Sequence, residues 1–157
     1  MLFSEFELSR FRIYKVYISI VKGEYANARN SLLIKEEVSK DTIGWDFWSR
    51  ILYIMTCLLM NKEDGATIGI ENLQRQMSRI SKFSSFRKRD TEIFRFLLLL
   101  SKNGFKYEHQ KNKLFHLFSN KKDEIIWKPL TAELIPFENF LNLKYPQLLS
   151  SKESIVA

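Results

Sequence analysis

Three glycines recur along this chain at nearly equal spacing, and that regularity restricts the folds open to it. Gly23, Gly65 and Gly104 lie 42 and 39 residues apart, and each follows an apolar stretch and precedes a more polar one. A glycine just beyond a helix takes the left-handed conformation that closes the helix C-terminus. The spacing therefore predicts helix pairs that recur about every 40 residues, a period typical of stacked helical hairpins.

Apolar side chains recur every three or four residues along most of the chain, the spacing that places them on one face of a helix. The first such stripe consists of Phe3, Phe6, Ile13, Tyr17 and Ile20. The clearest amphipathic stripe consists of Ile70, Leu73, Met77 and Ile80. Segments 45–60 and 93–100 are apolar on most faces, which predicts helices packed between neighbours. Asp41 and Asp90 are the predicted N-caps of the second and third long helices. No stretch alternates with period two, so no strand is expected.

These signals together predict an all-α fold of three stacked antiparallel helical hairpins. The hairpins are expected at residues 3–38, 43–83 and 90–120. The long helices lie at 3–22, 43–61 and 90–103, and their partners at 24–38, 66–83 and 106–120.

The residues after the third hairpin are expected to close the stack. Residues 124–145 are predicted to cap its open end, because a terminal repeat must hide an apolar face. Pro129 and Pro136 suit the first turns of two short helices, and Pro146 ends the second. Residues 1–145 are therefore predicted to form a single domain, followed by a frayed tail at 146–157.

The turn after the first long helix resembles that of a known repeat family. Its residues Gly23-Glu24-Tyr25-Ala26-Asn27-Ala28 are similar to the G-D/E-Y-x-x-A turn of a tetratricopeptide repeat, with Ala28 at the small position. The other two hairpins keep only the glycine and the helix lengths. Segment 127–141 also resembles the closing segment of bacterial tetratricopeptide-like proteins. The resemblance implies a short, curved α-solenoid that binds protein segments and performs no chemistry.

Catalytic and metal-binding motifs are missing from the sequence. Cys57 is the single cysteine, so neither an intramolecular disulfide nor a thiolate metal cage can form, and its apolar surroundings predict a buried thiol. His109 and His116 lie seven residues apart without the spacing of a zinc site. Glycine-rich phosphate loops and nucleophile motifs do not occur. We predict no catalytic residue, no metal and no cofactor, and therefore a protein that is not an enzyme.

Membrane and secretion signals are also weak. The longest apolar run, residues 51–60, is much shorter than the roughly 20 residues that span a bilayer. Glu5 and Glu7 precede the first basic residue, Arg10, which is unlike a secretory signal. The sequence therefore predicts a cytoplasmic protein without a membrane span.

The positive charge is concentrated in one region. The chain carries a formal net charge of +7, and residues 82–128 hold 12 Lys+Arg against 5 Asp+Glu, so the rest of the chain is balanced. We define the basic patch as the candidate partner-binding residues Arg87, Lys88, Arg89, Arg95 and Lys102. Phe83 and Phe86 lie beside its densest part.

Several functions remain open at this point. The repeat and the aromatic content favour a protein–protein interaction scaffold, whose partner would be acidic if the basic patch binds it. Basic residues between aromatic ones are also suited to nucleic acid, through phosphate contacts and base stacking. The apolar faces at 1–21 and 45–60 instead favour a homo-oligomeric structural subunit. A fourth interpretation is that the lysines and arginines only keep an aromatic-rich surface soluble.

Overall fold

The computed structural model describes residues 2–34, 40–110 and 122–147. Within these ranges the chain forms six α-helices and no β-strand, which confirms the all-α prediction. The helices are α1 (Glu5–Val21), α2 (Tyr25–Leu32), α3 (Trp45–Leu59), α4 (Glu63–Ile80), α5 (Lys88–Lys102) and α6 (Phe137–Lys144), with a 3₁₀ helix at Tyr107–Gln110. Most of the third predicted partner helix, and the end of the first, lie outside the described residues. None of the helices described is both long and apolar enough to cross a membrane.

Two compact units can be distinguished along the chain. The first unit comprises Met1–Phe86 together with Leu130–Leu134, and the second comprises Arg87–Pro129 together with Ile135–Ala157. The chain therefore leaves the first unit, builds much of the second, and returns to the first for five residues. The single domain expected at 1–145 stays a prediction.

Helix α1 begins two residues later than the apolar stripe suggests. Ser4 is its N-cap: the Ser4 hydroxyl accepts from the Glu7 N–H (3.2 Å), and the Glu7 carboxylate accepts from the Ser4 N–H (2.8 Å). This reciprocal pair is a capping box, which satisfies two of the otherwise unpaired helix donors. Phe3 consequently precedes the helix and is exposed, Phe6 is half-buried, and Ile13, Tyr17 and Ile20 are buried as predicted.

Helices α1 and α5 end in the same hydrogen-bonded turn, with glycine in the left-handed conformation. After α1, the Gly23 N–H donates to the Ile20 carbonyl (3.0 Å) and the Glu24 N–H to the Ser19 carbonyl (2.8 Å). These two bonds form a Schellman motif, and φ of Gly23 is +78° as the motif requires. Gly104 closes α5 in the same way with φ +61°. The predicted roles of both glycines are confirmed.

The predicted role of Gly65 is wrong, because the corresponding turn is formed by an asparagine. Asn61 has φ +57°, its N–H donates to the Leu58 carbonyl (3.0 Å), and the next N–H donates to the Cys57 carbonyl (2.8 Å). Asparagine tolerates this conformation better than most residues. Gly65 instead lies in the first turn of α4, after acidic residues that favour a helix N-terminus.

We expect Gly23→Val to lower the free energy of unfolding by about 1–2 kcal/mol, the usual cost of a left-handed non-glycine residue. No atom lies within 4 Å of a Cβ built at this position, so the loss would come from the backbone alone. Gly23→Asn is expected to lose less than half as much stability, because Asn61 adopts the same conformation in the equivalent turn after α3. Urea denaturation followed by far-UV circular dichroism measures both. Equal losses for the two variants, or no loss for valine, would contradict this account.

Helix α3 is the centre of the first unit. Helices α1, α2 and α4 all pack against it, and α1 also packs against α2, consistent with two helical hairpins. Ten of its fifteen residues are buried, which confirms that an almost uniformly apolar helix lies between neighbours. Its N-terminus is fixed by the Asp41 carboxylate, which accepts from the Trp45 N–H (3.2 Å), although the helix N-cap position itself is Gly44.

Helix α4 approaches α3 closely along its glycines. A Cβ built on Gly69 would lie 2.9 Å from Ile54 Cγ1 and 3.4 Å from Tyr53 Cδ1. A Cβ on Gly65 would lie 3.2 Å from the Cys57 sulfur. At the other end of the contact, the Gln76 amide donates to the buried Asp46 carboxylate. Helix α4 is thus held to α3 by close backbone approach at one end and a buried polar contact at the other.

The second unit is built around α5 and α6. The Phe96 and Phe137 rings pack edge to face at 6.2 Å between centroids, and the Tyr145 hydroxyl donates to the Phe105 carbonyl (2.8 Å). Pro136 is the N-cap of α6, close to the predicted first turn. Pro129, however, starts no helix, and the next residue, Leu130, has φ +63°.

Candidate functional site

Four of the five basic-patch residues are paired with carboxylates of the same chain. Arg87 donates to both carboxylate oxygens of Asp90, through Nε (2.9 Å) and Nη2 (2.6 Å). Lys88 lies 2.9 Å from the Glu124 carboxylate and Arg95 lies 2.6 Å from that of Glu92. Arg89 is paired with Glu138. Lys102, in the last turn of α5, is exposed and has no ion pair among the described residues.

Arg89 is a buried structural residue rather than part of an accessible surface. It is 3% exposed, and its guanidinium donates to the Ile125 carbonyl (2.8 Å) and to both Glu138 oxygens (3.1 and 2.7 Å). A guanidinium stays charged when it is buried, so its burial is tolerated only where acceptors such as these compensate for the lost water. Arg89 therefore fixes residues 125 and 138 to α5, and it is placed where a partner's phosphate or carboxylate cannot reach it.

Asp90 is not the N-cap of α5, which the sequence predicts it to be, because that position is held by Arg87. The helix begins at Lys88, so Asp90 lies inside the first turn, fully buried and bound to Arg87. A carboxylate there interacts favourably with the positive end of the helix dipole. One of the three consecutive cations at 87–89 is thus neutralised by the acid that follows them.

Lys88 and Glu124 each stabilise the charged form of the other. Hydrogen bonding to Glu124 raises the pKa of Lys88, and hydrogen bonding to Lys88 lowers the pKa of Glu124. Both side chains are exposed, so the ion pair is screened by salt and contributes little to stability. Lys88, Arg95 and Lys102 are thus the exposed residues of the basic patch, whereas Arg87 is half-buried and Arg89 is buried.

A different surface, which the sequence reasoning missed, is apolar and exposed. We define the α1 outer surface as the side chains Phe3, Leu8, Phe11, Tyr14, Ile18 and Val21. Five of the six are exposed, and Tyr14 is half-buried. At 100° per residue, Phe11 and Ile18 point away from the buried side of α1, which carries Ile13, Val16 and Ile20. Helix α1 is thus apolar on two opposite sides, only one of which is covered.

Aromatic rings on this surface contact each other in sequence. Phe3 and Phe11 meet edge to face with centroids 5.5 Å apart, and Phe11 and Tyr14 do the same at 5.8 Å. Tyr14 continues the contact to Trp45 at the start of α3, again at 5.8 Å. Such pairs hold large side chains in fixed positions at low entropic cost, as binding surfaces require. The signal was present in the sequence as a second three- and four-residue repeat, offset from the first.

An open pocket of about 590 Å³ lies where α2 meets the α3–α4 turn. Arg29, Lys62, Glu63 and Asp64 contribute charges of both signs, and the lining also includes Cys57. Hydrogen bonding to Tyr53, and then to Cys57, raises the pKa of Arg29. The thiol itself is buried, as predicted. Because the charges around the pocket have both signs, it does not select a ligand of one charge.

No group of three or more potential metal ligands comes together in the part of the chain that the structure describes. The side chain of His109 and all of His116 lie outside that part.

No protein-family model matches this chain, and neither the curated proteins nor the solved structures provide a match.

Proposed function

We propose that this chain is a non-catalytic protein–protein interaction module that binds its partner through the α1 outer surface. The observation that carries the proposal is the exposure of large apolar side chains on a helix whose opposite side is already buried. Ile18 and Val21 are 53% and 67% exposed, and both lie in regular helix rather than in a loop. Contiguous exposed apolar surface of this kind is typical of interaction sites.

We further propose that the scaffold is a short tetratricopeptide-like α-solenoid. The support is the recurrence of one turn: left-handed residues at 23, 61 and 104 close α1, α3 and α5 with the same pair of hydrogen bonds. Ala28 is the small residue of the turn that resembles a tetratricopeptide repeat. It is fully buried on α2, which packs against α1. Small residues at such positions let paired helices approach closely.

Binding through the basic patch is the weaker proposal, whether the partner is an acidic protein or a nucleic acid. Arg87, Lys88, Arg89 and Arg95 already bind carboxylates of this chain. Phosphate groups would have to displace those partners, and counterion release would be correspondingly smaller. The exposed Phe83 is the feature that still favours a stacking surface.

Lysine-reactive crosslinking in the native cell, read by mass spectrometry, distinguishes the two surfaces. We expect intermolecular crosslinks to concentrate at Lys15 and Lys22, which flank the α1 outer surface, rather than at Lys88 and Lys102. Ile18→Glu should remove them, because a charge on an apolar contact surface must be desolvated on binding. Crosslinks confined to Lys88 and Lys102 would favour the basic patch instead, and none at either pair would contradict the interaction function.

The matched control is Ile68→Glu on α4. Ile68 is 57% exposed, close to the exposure of Ile18, and lies on another helix of the same unit. This variant is expected to keep the crosslinks at Lys15 and Lys22. Equal loss in both variants would mean that general solubility, not the α1 outer surface, controls the association.

A further inference from the structure

We propose that the α1 outer surface binds the same surface of a second copy of this chain, with the two α1 helices antiparallel. This inference rests on the proposed function and specifies its partner. The main alternative is that a different protein binds this surface, and the tests below distinguish the two cases.

The exposed apolar side chains are arranged symmetrically along α1. Leu8 and Val21 are equally distant from the point between residues 14 and 15, and so are Phe11 and Ile18. A two-fold interface uses the same patch on both subunits, so residue i must face residue j and j must face i. Antiparallel pairing about this point places apolar side chains against apolar side chains at all four positions.

The charges along α1 favour the same antiparallel pairing. The same symmetry places Glu7, in the first turn of α1, opposite Lys22 just beyond its last turn. A parallel pair would instead place each of these charges beside its own copy. At the centre, Tyr14 lies opposite Lys15 of the second copy, and a tyrosine ring binds an ammonium group favourably. Opposite charges at the ends and a cation over a ring at the centre both select the antiparallel orientation.

Helix α1 is also long enough for this pairing. A 17-residue helix is about 25 Å long, enough for the four apolar positions to span more than three turns. Phe11 and Ile18 are seven residues apart, so they lie within about 20° of each other around the helix axis and form the centre of the contact. The aromatic contacts of Phe11 with Phe3 and Tyr14 hold the surface in place before a second copy binds.

Sedimentation equilibrium of the purified full chain, from about 1 to 200 μM, measures the self-association. We expect a monomer–dimer equilibrium in this range. Ile18→Glu should raise the dimer dissociation constant at least about a hundredfold, since both copies lose a central apolar contact. Ile68→Glu should leave it within about twofold. A chain that stays monomeric throughout, or a dimer indifferent to Ile18→Glu, would overturn the inference.

Charge reversal tests the proposed pairing directly. Lys22→Glu and Glu7→Lys should each weaken the dimer by roughly three- to tenfold, because two symmetry-related ion pairs are lost. The double variant restores opposite charges in exchanged positions and should recover most of that loss. Circular dichroism controls for the removal of the Ser4–Glu7 capping box. A double variant weaker than either single one would refute the register.

Cysteine crosslinking tests the orientation. In the antiparallel pair, Lys15→Cys lies near its own copy, whereas Val21→Cys faces Leu8 and is about 20 Å along the axis from its own copy. A disulfide needs Cα atoms within about 7 Å, so oxidation should link Lys15→Cys and not Val21→Cys. The native Cys57 is buried and does not compete. Crosslinking of Val21→Cys instead would mean a parallel pair and would overturn the proposal.

The inference and the proposed function can fail separately. A monomeric chain whose Lys15 and Lys22 still crosslink to a different protein in the cell would retain the interaction function and reject self-association. A chain that is monomeric and without those crosslinks would reject both.

Discussion

Arg89→Met is expected to lower the free energy of unfolding by about 3 kcal/mol, since removing one partner of a buried ion pair leaves the other without compensation. Methionine keeps the apolar stem of the side chain but leaves the Ile125 carbonyl and the Glu138 carboxylate without their donor. Both of those groups lie far from residue 89 in sequence, so the change loosens contacts between distant segments of the second unit. Urea denaturation measured by circular dichroism gives the loss.

Arg95→Met is the control, because it makes the same change on the same helix. Arg95 is 65% exposed and its ion pair with Glu92 lies on the surface, so the variant should change stability by no more than about 0.5 kcal/mol. Similar losses for the two variants would show that helix α5 responds to charge in general and not to the buried contact. This pair of variants also identifies which patch cations can be removed in binding studies without unfolding the protein.

Gly69→Val is expected to destabilise the protein by about 1–3 kcal/mol through overpacking. A Cβ at this position would lie 2.9 Å from Ile54 Cγ1, which belongs to a fully buried side chain that cannot move away easily. The intrinsic helix preference of valine over glycine would offset only a few tenths of a kcal/mol. Thermal and urea denaturation of the full chain measure the effect.

Ile68→Val, at the adjacent exposed position of α4, should be nearly neutral and serves as the control for Gly69→Val. A second comparison is Gly69→Ala, whose smaller side chain meets the same contact with fewer atoms and should lose less than valine. If Gly69→Val stabilised the chain, helix preference would outweigh contact with α3, and the close approach would carry no energetic weight.

The positions of the helices could be predicted from periodicity, because one buried side of a helix repeats every three or four residues. The closing turns were harder to assign. Gly23 and Gly104 have a single reasonable role, but the sequence after α3 offers both Asn61 and Gly65. Asn61 is the first polar residue after the apolar run, and the structure closes the helix there. No local sequence feature distinguishes a glycine inside the first turn of a helix from a glycine that ends a helix.

The basic patch illustrates the limit of local reasoning. The pairs Arg87–Asp90 and Glu92–Arg95 are three residues apart and could have been recognised on a helix. Glu124 and Glu138 are 36 and 49 residues from the cations they bind, so only tertiary structure brings them together. The α1 outer surface was missed for the opposite reason: its spacing was visible, but the sequence does not say which of two apolar sides a neighbour covers.

The contacts of Tyr17 have a consequence for how this protein is made. Its hydroxyl donates to the Ala132 carbonyl (2.7 Å) and accepts from the Leu134 N–H (3.3 Å), joining residues 115 or more positions apart. Ribosomes add roughly 5–20 residues per second, so residue 134 is added about 2–10 seconds after residue 86. During that interval the nascent first unit lacks its last segment, and the buried tyrosine has no native acceptor. Chaperones that bind nascent chains would meet this unit in an incomplete state, however fast its helices form.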